Sequence, residues 1–462
     1  VTQQSFDLVV VGAGPAGISA AVEASGWGVS VALVDENPAP GGNIYRQPPK
    51  EFAPLPPSGG DRGAALRRAL DASAVRRFPE TTVWGAFRPG VLEAVRGGES
   101  FALEGRFVIV APGAYDRPVP VPGWTLPGVL TVGGAQTLLK GQRMLPGRRI
   151  LFAGTGPLLL VVAAQYAEAG AEIVAVADAA RIGTLSRHAP GLLSAPALLR
   201  DGMRYRWRLL RRRVPWLSQS VLLRVEGRGE VESASIVQID GSGQRRAGTE
   251  RRFEVDTVCV GYGLVPSVEL LQLLGCALRY DQAAACWIPR RNDDFETSVP
   301  SVFAVGDGAG VAGAVVAADE GRVAGLAVAR ALGRIGPEEA QRLQRPLRRR
   351  LRRLARFRAA MEAAYGLPPH LLDGVSADTI VCRCEEVRRR EIDEAIGDGA
   401  RTPAQLKAWT RVGMGPCQGR MCSLPAAELL SRATQRPVAD LGPPSVRPPI
   451  KPVPIAALTE TD

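Results

Sequence analysis

The sequence has little of what hydrolytic and proton-transfer enzymes use. It holds two histidines, His188 and His370, and neither has a serine or cysteine neighbour that would make it the base of a nucleophile. Triad-type hydrolysis therefore has no residues to run on. Aromatic residues are only 5% of the chain. No window offers 18 uninterrupted apolar residues, so no transmembrane helix is expected. The first residues lead straight into an apolar strand, Phe6–Val11, with no charged n-region of a signal peptide before it, and a cytoplasmic location is the expectation. Cysteine is scarce and odd in number at seven, and four of the seven lie in the last hundred residues. That clustering points to a metal site in a reducing compartment and not to a secreted disulfide framework.

What is present is an ordinary globular composition. The chain of 462 residues is 46% hydrophobic and 22% charged, which excludes disorder as its main state and suggests two to four domains. The net charge of +11 rests on 57 basic residues, of which only four are lysine. Such an arginine excess reads as coding bias, and no nucleic-acid partner is expected. In and just beyond the densest run, Arg345–Arg358, Leu347, Leu351, Leu354 and Met361 recur at helical spacing with arginine on the other faces. That pattern is a solvated or inter-domain helix.

Residues 6–36 read FDLVVVGAGPAGISAAVEASGWGVSVALVDE: an apolar strand, a glycine-rich turn, a helix, and a second strand ending in acid. This is a βαβ unit of dinucleotide-binding type. A second begins at Arg149 with RILFAGTGPLLLVVAAQYAEAGAEIVAVAD. The expected fold class is therefore α/β, with two Rossmann-like domains. The segments FVIVAPG (107–113), DTVCVGYG (256–263) and SVFAVGDGAG (301–310) are further strands meeting small-residue turns. The expected division is a discontinuous first nucleotide domain, 1–120 with 285–340, and a second nucleotide domain, 121–284. Residues 181–225 fit neither sheet and read as an insertion. Residues 341–375 are a helical linker, 376–440 a small helical cysteine domain, and 441–462 a proline-rich extended tail, which with the insertion is an expected contact surface for a partner.

The first turn, Gly12-Ala13-Gly14-Pro15-Ala16-Gly17, matches G-x-G-x-x-G in full. Gly12 permits the tight turn, Gly14 lets a pyrophosphate approach the backbone, and Gly17 lets helix and strand pack closely. The helix N-terminus stabilises the phosphate charge. Asp35, eighteen residues past Gly17, with Glu36 beside it, is placed to accept hydrogen bonds from a ribose. The late segment selects FAD over NAD: a strand ending in Gly306-Asp307 sets a carboxylate against the ribityl chain and pyrophosphate at a helix N-terminus. Asp307 can equally cap the helix that follows.

The second turn keeps Gly154 and Gly156 but has Leu159 in place of the third glycine, so helix and strand are expected to pack more loosely there. Asp178 ends its second strand as a ribose-binding acid should. NAD(H), an ATP-like ligand, or a site kept for structure alone all remain open. Neither nucleotide domain carries the C-x-x-C or C-x4-C pair of a disulfide reductase, and Cys259 lies in an apolar strand as core.

The last cysteines read VCRCEEV and GPCQGRMC, with 32 residues between Cys384 and Cys417. Cys382, Cys384, Cys417 and Cys422 are four soft ligands in C-x-C and C-x4-C spacing. Zinc sites favour C-x2-C knuckles, so the spacing argues for 2Fe–2S, with zinc as the alternative. Gly413, Gly415 and Gly419 would offer unhindered N–H groups to the sulfides.

These motifs together carry a resemblance. The cysteine run, with GMGPCQGRMC, resembles the bacterioferritin-associated-ferredoxin-like 2Fe–2S domain. FDLVVVGAGPAG, VDENPAPGGNIYRQ, PGWTLPGVLTVGGAQ, CVGYGLVPS and SVFAVGDGAGVAGAVVAADEGRVAG resemble the alpha (A) subunits of heteromeric flavin dehydrogenases. That group includes octopine and nopaline oxidases, D-hydroxyproline and proline dehydrogenases and hydrogen cyanide synthase, and the similarity runs over nearly the whole chain. It implies FAD contacts at Gly42 and Arg46 in the first loop and at Ala111 and Gly113 in the third strand's turn. It implies a partner beta subunit of the D-amino-acid-oxidase type that oxidises a substrate C–N bond with its own flavin, and leaves room for a further small subunit. A further flavin, FMN, at the subunit contact, and a quinone or other electron acceptor reached from the inner-membrane surface, belong to the same analogy. Oxidising an amine releases two electrons and a cluster carries one, so flavin plus cluster is a two-to-one converter. The expected role is the electron-transfer subunit of an amino-acid or opine dehydrogenase. The alternative is a self-contained NAD(P)H-dependent reductase.

Overall fold

The computed structural model describes residues 2–49, 51–52, 63–181, 183 and 187–458. Small parts of the expected first domain (53–62), of the insertion (182, 184–186) and of the tail (459–462) lie outside the described residues.

The first sheet has seven strands. Its parallel centre runs Arg76–Phe78, Val31–Val34, Thr2–Val11, Glu99–Val110, and Val302–Ala304 joins it on the far side of Glu99–Val110. The antiparallel strands Val91–Arg96 and Thr82–Arg88 extend it. Leu8, Val9 and Val10 are all fully buried, because helices and loops cover both faces, and a strand buried on both sides reads as an unbroken apolar run. The nucleotide helix Pro15–Gly26 lies against Ala314–Ala331. Their contact is lined by small residues: a Cβ on Gly321 would sit 2.1 Å from the Ala16 carbonyl oxygen.

The second sheet is parallel throughout, in the order Trp216–Ser218, Glu172–Asp178, Arg149–Gly154, Thr257–Gly261, Val129–Thr131. Trp216–Ser218 belongs to the segment read as an insertion, and Ser220–Glu226 enters an antiparallel three-stranded sheet with Ser233–Gln238 and Arg251–Glu254. The insertion proper is thus only the helical part before Trp216. Its arginine-rich composition hid a three-residue strand, too short to show a period of two.

The reading of 341–375 as a linker is also revised. Helix Pro337–Tyr365 begins earlier and is part of the first domain's core, with Ala340 and Leu347 buried against the strands and helices of that domain. Arg350 makes a two-pronged contact to Asp319, which is only 1% exposed. Arg348, paired with Asp294, and Arg350 thus tie one side of the helix to the first domain, while Arg345, Arg349, Arg352, Arg353 and Arg356 are exposed.

The cysteine domain continues the core of the second nucleotide domain. Val381, Ile392, Leu406 and Leu430 share one buried cluster with Leu151, Ala177 and Val258. The Trp124 indole N–H donates to the Ile380 carbonyl at 2.6 Å. The tail, expected as an extended contact for a partner, folds back on this chain. The Ile450 N–H donates to Trp84 O (2.9 Å) on the outermost strand of the first sheet, and its side chain is 5% exposed. Lys451 pairs with Glu36 at 2.9 Å. Covering an open sheet edge this way blocks strand addition, and prolines give up little further freedom in doing so. Among the described residues no helix is long and apolar enough to cross a membrane.

Candidate functional site

Four segments meet at the carboxyl end of the first sheet. Gly12 donates its N–H to Val34 O (2.7 Å) and adopts φ +103°, and a Cβ there would lie 2.2 Å from Ala111 O. A Cβ on Gly17 would lie 1.8 Å from Gly12 O, so this helix start and strand end touch backbone to backbone. Pro15 takes the first helical position, where its missing N–H costs nothing. Gly41 N–H donates to Ala13 O (2.8 Å), which lays Gly42 against Gly14. A Cβ on Gly306 would lie 2.7 Å from the Ala16 Cβ, and one on Gly308 would lie 2.8 Å from the Pro112 ring next to Gly113.

Gly14 is the exception among these crowded glycines. The nearest atom to a Cβ there is Gly42 Cα at 3.9 Å, and its φ of −78° suits any residue. Nothing in the protein requires glycine at this point; a phosphate-bearing ligand over the helix N-terminus would. The set fits a dinucleotide.

Its acids are held more firmly than the sequence suggested. Asp35 Oδ2 accepts the Ala13 N–H at 2.5 Å, and Oδ1 accepts both the backbone and side-chain N–H of Asn37 at 2.7 and 2.8 Å. Most of its acceptor capacity is spent on pinning the glycine turn, which leaves it about one of a carboxylate's four acceptor sites for a ribose. Glu36 points outward to Lys451. Asp307 Oδ1 accepts the N–H groups of Ala312 (2.8 Å) and Gly313 (2.9 Å), the two residues before helix Ala314–Ala331, so it braces the turn and does not cap the first helical N–H groups, and Oδ2 has no partner among the described residues.

Sequence reasoning missed the clamp behind Gly306. Glu320, 5% exposed, accepts the Gly306 N–H at 2.8 Å and is gripped by Arg291 at 2.8 and 2.9 Å. These residues come from separate elements, so no local motif marks them. Also missed was Lys140, whose ammonium donates to Ile44 O (2.8 Å) across the gap between the two nucleotide units. Burial, with the Arg46 charge beside it, pulls its pKa down to about 8. Arg46 itself donates to Asn43 Oδ1 at 2.9 Å, and its Nε is buried without a partner.

At the second turn, Gly154 packs against Gly261, and Thr155 N–H donates to Gly261 O (2.8 Å). Gly156 has φ +103° with nothing within 4 Å of a Cβ. Leu159 is 1% exposed, inside a cluster with Phe152, Val162 and Tyr166, so the leucine fills the space where the first turn has backbone contact. Asp178 is 1% exposed; Oδ1 accepts the Ala180 N–H (2.9 Å), while Oδ2 is buried and unpartnered. Burial pushes its pKa up to about 6, against the pull of the Ala180 N–H and of Arg206. Thr155 Oγ1 and Arg206 Nη1 are buried and unpartnered too. The end of helix Pro337–Tyr365 covers this site: Arg181 N–H donates to Ala364 O (3.1 Å), and Tyr365 is pushed up to about 12 by burial and by the Asp178 charge.

The four C-terminal cysteines come together from the hairpin of Ile380–Cys382 and Val387–Arg388 and from the start of helix Ser423–Thr434. Cys422 lies beside Cys382, and Cys384 beside Cys417, giving two sulfur pairs. The Cys382 thiol is pulled down to about 6, first by Cys422 and then, against burial, by the N–H groups of Gly413, Glu385 and Cys384. Cys422 is pushed up by its bond to Cys382 and by burial. Gly415 packs on Cys384, where a Cβ would lie 2.2 Å from the cysteine Cβ, and Gly419 on Ser423. Cys382 and Cys422 are buried; Cys384 is exposed. Among the described residues no group of three or more such side chains is gathered tightly enough for a single ion. Two thiol pairs with backbone donors on the sulfurs fit a two-iron group better than one tetrahedral ion.

The sequence profile of the pyridine nucleotide-disulphide oxidoreductase family matches residues 6–321, and that of the sarcosine oxidase A3 domain matches 377–461. The second match takes in the tail as well as the cysteines. In Rhizobium meliloti, one of the opine oxidase A subunits is 35% identical over 474 residues, covering 99% of this chain and 88% of the relative. The hydrogen cyanide synthase subunit HcnB of Pseudomonas aeruginosa is 35% identical over 462 residues, covering 97% of each. The L-proline dehydrogenase structure from P. horikoshii superposes with a TM-score of 0.73 at 20% identity, over 99% of this chain and 80% of that one, a likeness of fold.

Proposed function

The chain belongs to the family of opine oxidase A subunits, on a pyridine nucleotide-disulphide oxidoreductase body, and from that membership we propose that it is the electron-transfer subunit of a heteromeric dehydrogenase acting on CH–NH or CH–NH2 donors. It is a flavin oxidoreductase, and FAD is the cofactor its family implies. Gly12, Gly14, Gly17 and the Gly306–Asp307 turn would hold it. Bound there, the flavin supplies two-electron acceptance with one-electron release. The chain's own part is to fix the pyrophosphate over the Pro15 helix end and to hold the turn rigid through Asp35 and the Arg291–Glu320 clamp. The cations of Lys140 and Arg46 face the gap between the nucleotide units, where they favour an anionic group.

The observation that carries the reading is the meeting of four thiols in two pairs, with one, Cys384, at the surface. That arrangement suits a 2Fe–2S group passing single electrons to an acceptor outside. In this proposal a beta subunit of the D-amino-acid-oxidase type oxidises the substrate, FMN sits at the subunit contact, and a quinone or similar carrier is the acceptor. Anaerobic reconstitution with iron and sulfide should give 2Fe–2S absorbance that is lost or shifted in Cys382→Ser, Cys384→Ser, Cys417→Ser and Cys422→Ser, with FAD retained. Stoichiometric zinc without acid-labile sulfide would refute the cluster. The isolated chain should turn over no opine or proline derivative with an artificial acceptor.

A second reading has its own support. The orphaned Asp178 and Thr155 oxygens suit a ribose or phosphate in the second unit, as in an NAD(P)H-dependent reductase or an ATP-binding site. Anaerobic addition of NADH separates the cases: bleaching of the flavin favours the reductase.

A further inference from the structure

Helix Pro196–Arg211 packs on the outer side of the second sheet, and its Arg206 reaches toward Asp178 of the second nucleotide unit. It buries Leu209 fully against the cluster around Phe152 and Tyr166, and Arg208 pairs with Glu168 of the neighbouring helix at 2.7 Å. Its other face is unusual. Met203, Trp207 and Leu210 are 58%, 54% and 55% exposed, and Leu193 of the preceding short helix is 67% exposed. At ~100° of turn per residue, Leu210, Met203 and Trp207 fall within roughly 60° of one another around the axis, and Arg200, Arg211 and Arg204 within roughly the next 60°. All three arginines are exposed, as are Arg212 and Arg213 just beyond the helix end. The one acid on the helix, Asp201, is half-buried and falls outside both stripes. Arg211 stacks its guanidinium 4.6 Å from the Trp207 ring centre.

We propose that this face is a membrane-surface contact that takes an anionic lipid headgroup layer. A narrow apolar stripe edged by cations of one sign suits the boundary between headgroups and acyl chains, with tryptophan at the headgroup level and arginine on the phosphates. A protein partner on this face would have to bring carboxylates to the same arginines. Five exposed arginines, with the neighbouring exposed acid Glu168 taken up by Arg208, match a negative surface. The inference stands apart from the proposed function, because Met203, Trp207, Leu210 and the exposed arginines are none of the residues placed at the nucleotide turns or the cysteines.

The test is sedimentation of the full chain with vesicles at ~0.1 M salt, close to physiological screening. Phosphatidylglycerol–phosphatidylcholine vesicles should bind it, and pure phosphatidylcholine should bind it far less. Combined Arg200→Glu, Arg204→Glu and Arg211→Glu should lower partitioning roughly hundredfold. Met203→Ser, Trp207→Ala and Leu210→Ser together should lower it by at least roughly tenfold. Both sets leave the buried face intact, and unchanged thermal melting checks that. Equal binding by variants and parent, or no binding by the parent, overturns the proposal. So does a result in which the variants bind vesicles normally but lose a partner chain, which would make the face a subunit interface.

Discussion

The two nucleotide turns of this chain share Gly-x-Gly-Pro and part at the third glycine of the motif. In the first, Gly17 lets helix and strand touch at the backbone, and Asp35 spends most of its acceptor capacity on protein donors. In the second, Leu159 sits at the corresponding place as fully packed core, and Asp178 keeps a buried oxygen with no partner. The third glycine therefore governs how close the helix stands, and says little about whether a ligand binds. Judged by its acid, the turn with the poorer motif has the greater unspent capacity to bind.

The sharpest way to break this comparison is to exchange the residues. Gly17→Leu puts a side chain into Gly12 O at 1.8 Å from the Cβ, a cost at or above the ~3 kcal/mol upper end of ordinary overpacking. We expect loss of soluble yellow protein. The opposing change, Leu159→Ala, empties packed volume and should cost about 2–5 kcal/mol by denaturant titration, without altering FAD content.

Asp178→Asn tests the orphaned oxygen. The folded pKa of about 6 lies above the ordinary 3.8, so the folded protein holds this proton to higher pH than the unfolded chain does. The carboxyl's favourable contribution is complete below pH 4 and is lost as pH rises through 6. Asparagine has no charge to bury. Its advantage over aspartate should open between pH 4 and 6 and level off above that at up to about 3 kcal/mol. Equal urea midpoints for the two proteins at both pH 4 and pH 8 would show that Asp178 already has a partner.

Gly14→Val separates ligand demand from protein demand. With φ −78° and open space around it, the variant should fold within about 1 kcal/mol of the parent and yet purify without FAD. Full flavin content would move the pyrophosphate elsewhere. The smallest effect is expected from Glu36→Gln. Its pair with Lys451 is exposed, at 52% and 37% for the two side chains, and should be worth at most about 1 kcal/mol. A larger loss, read by proteolysis of the tail, would mean that the strap depends on this one contact.

Much of this molecule is legible in its sequence for a simple reason: both βαβ units and the cysteine pairs are local patterns. An apolar run, a glycine turn and a terminal acid fall within about thirty residues, and the α/β class follows from them. The grouping of Cys382, Cys384, Cys417 and Cys422 as one site follows in the same way. What failed was whatever depends on distant partners. The strand Trp216–Ser218 is recognisable only by its neighbour Glu172–Asp178. The Arg291–Glu320 clamp joins residues with no shared motif.

The sequence by itself determined the α/β fold class and the family, because the backbone geometry of glycine-rich turns leaves few residue choices at those positions. Only the tertiary structure decided how Asp35 spends its oxygens, that Leu159 is packed, and that the proline-rich tail closes the first sheet's open edge. Each of those is a matter of which groups meet after folding. Desolvation and hydrogen-bond satisfaction act on atoms brought together from segments tens to hundreds of residues apart, and no local pattern records them.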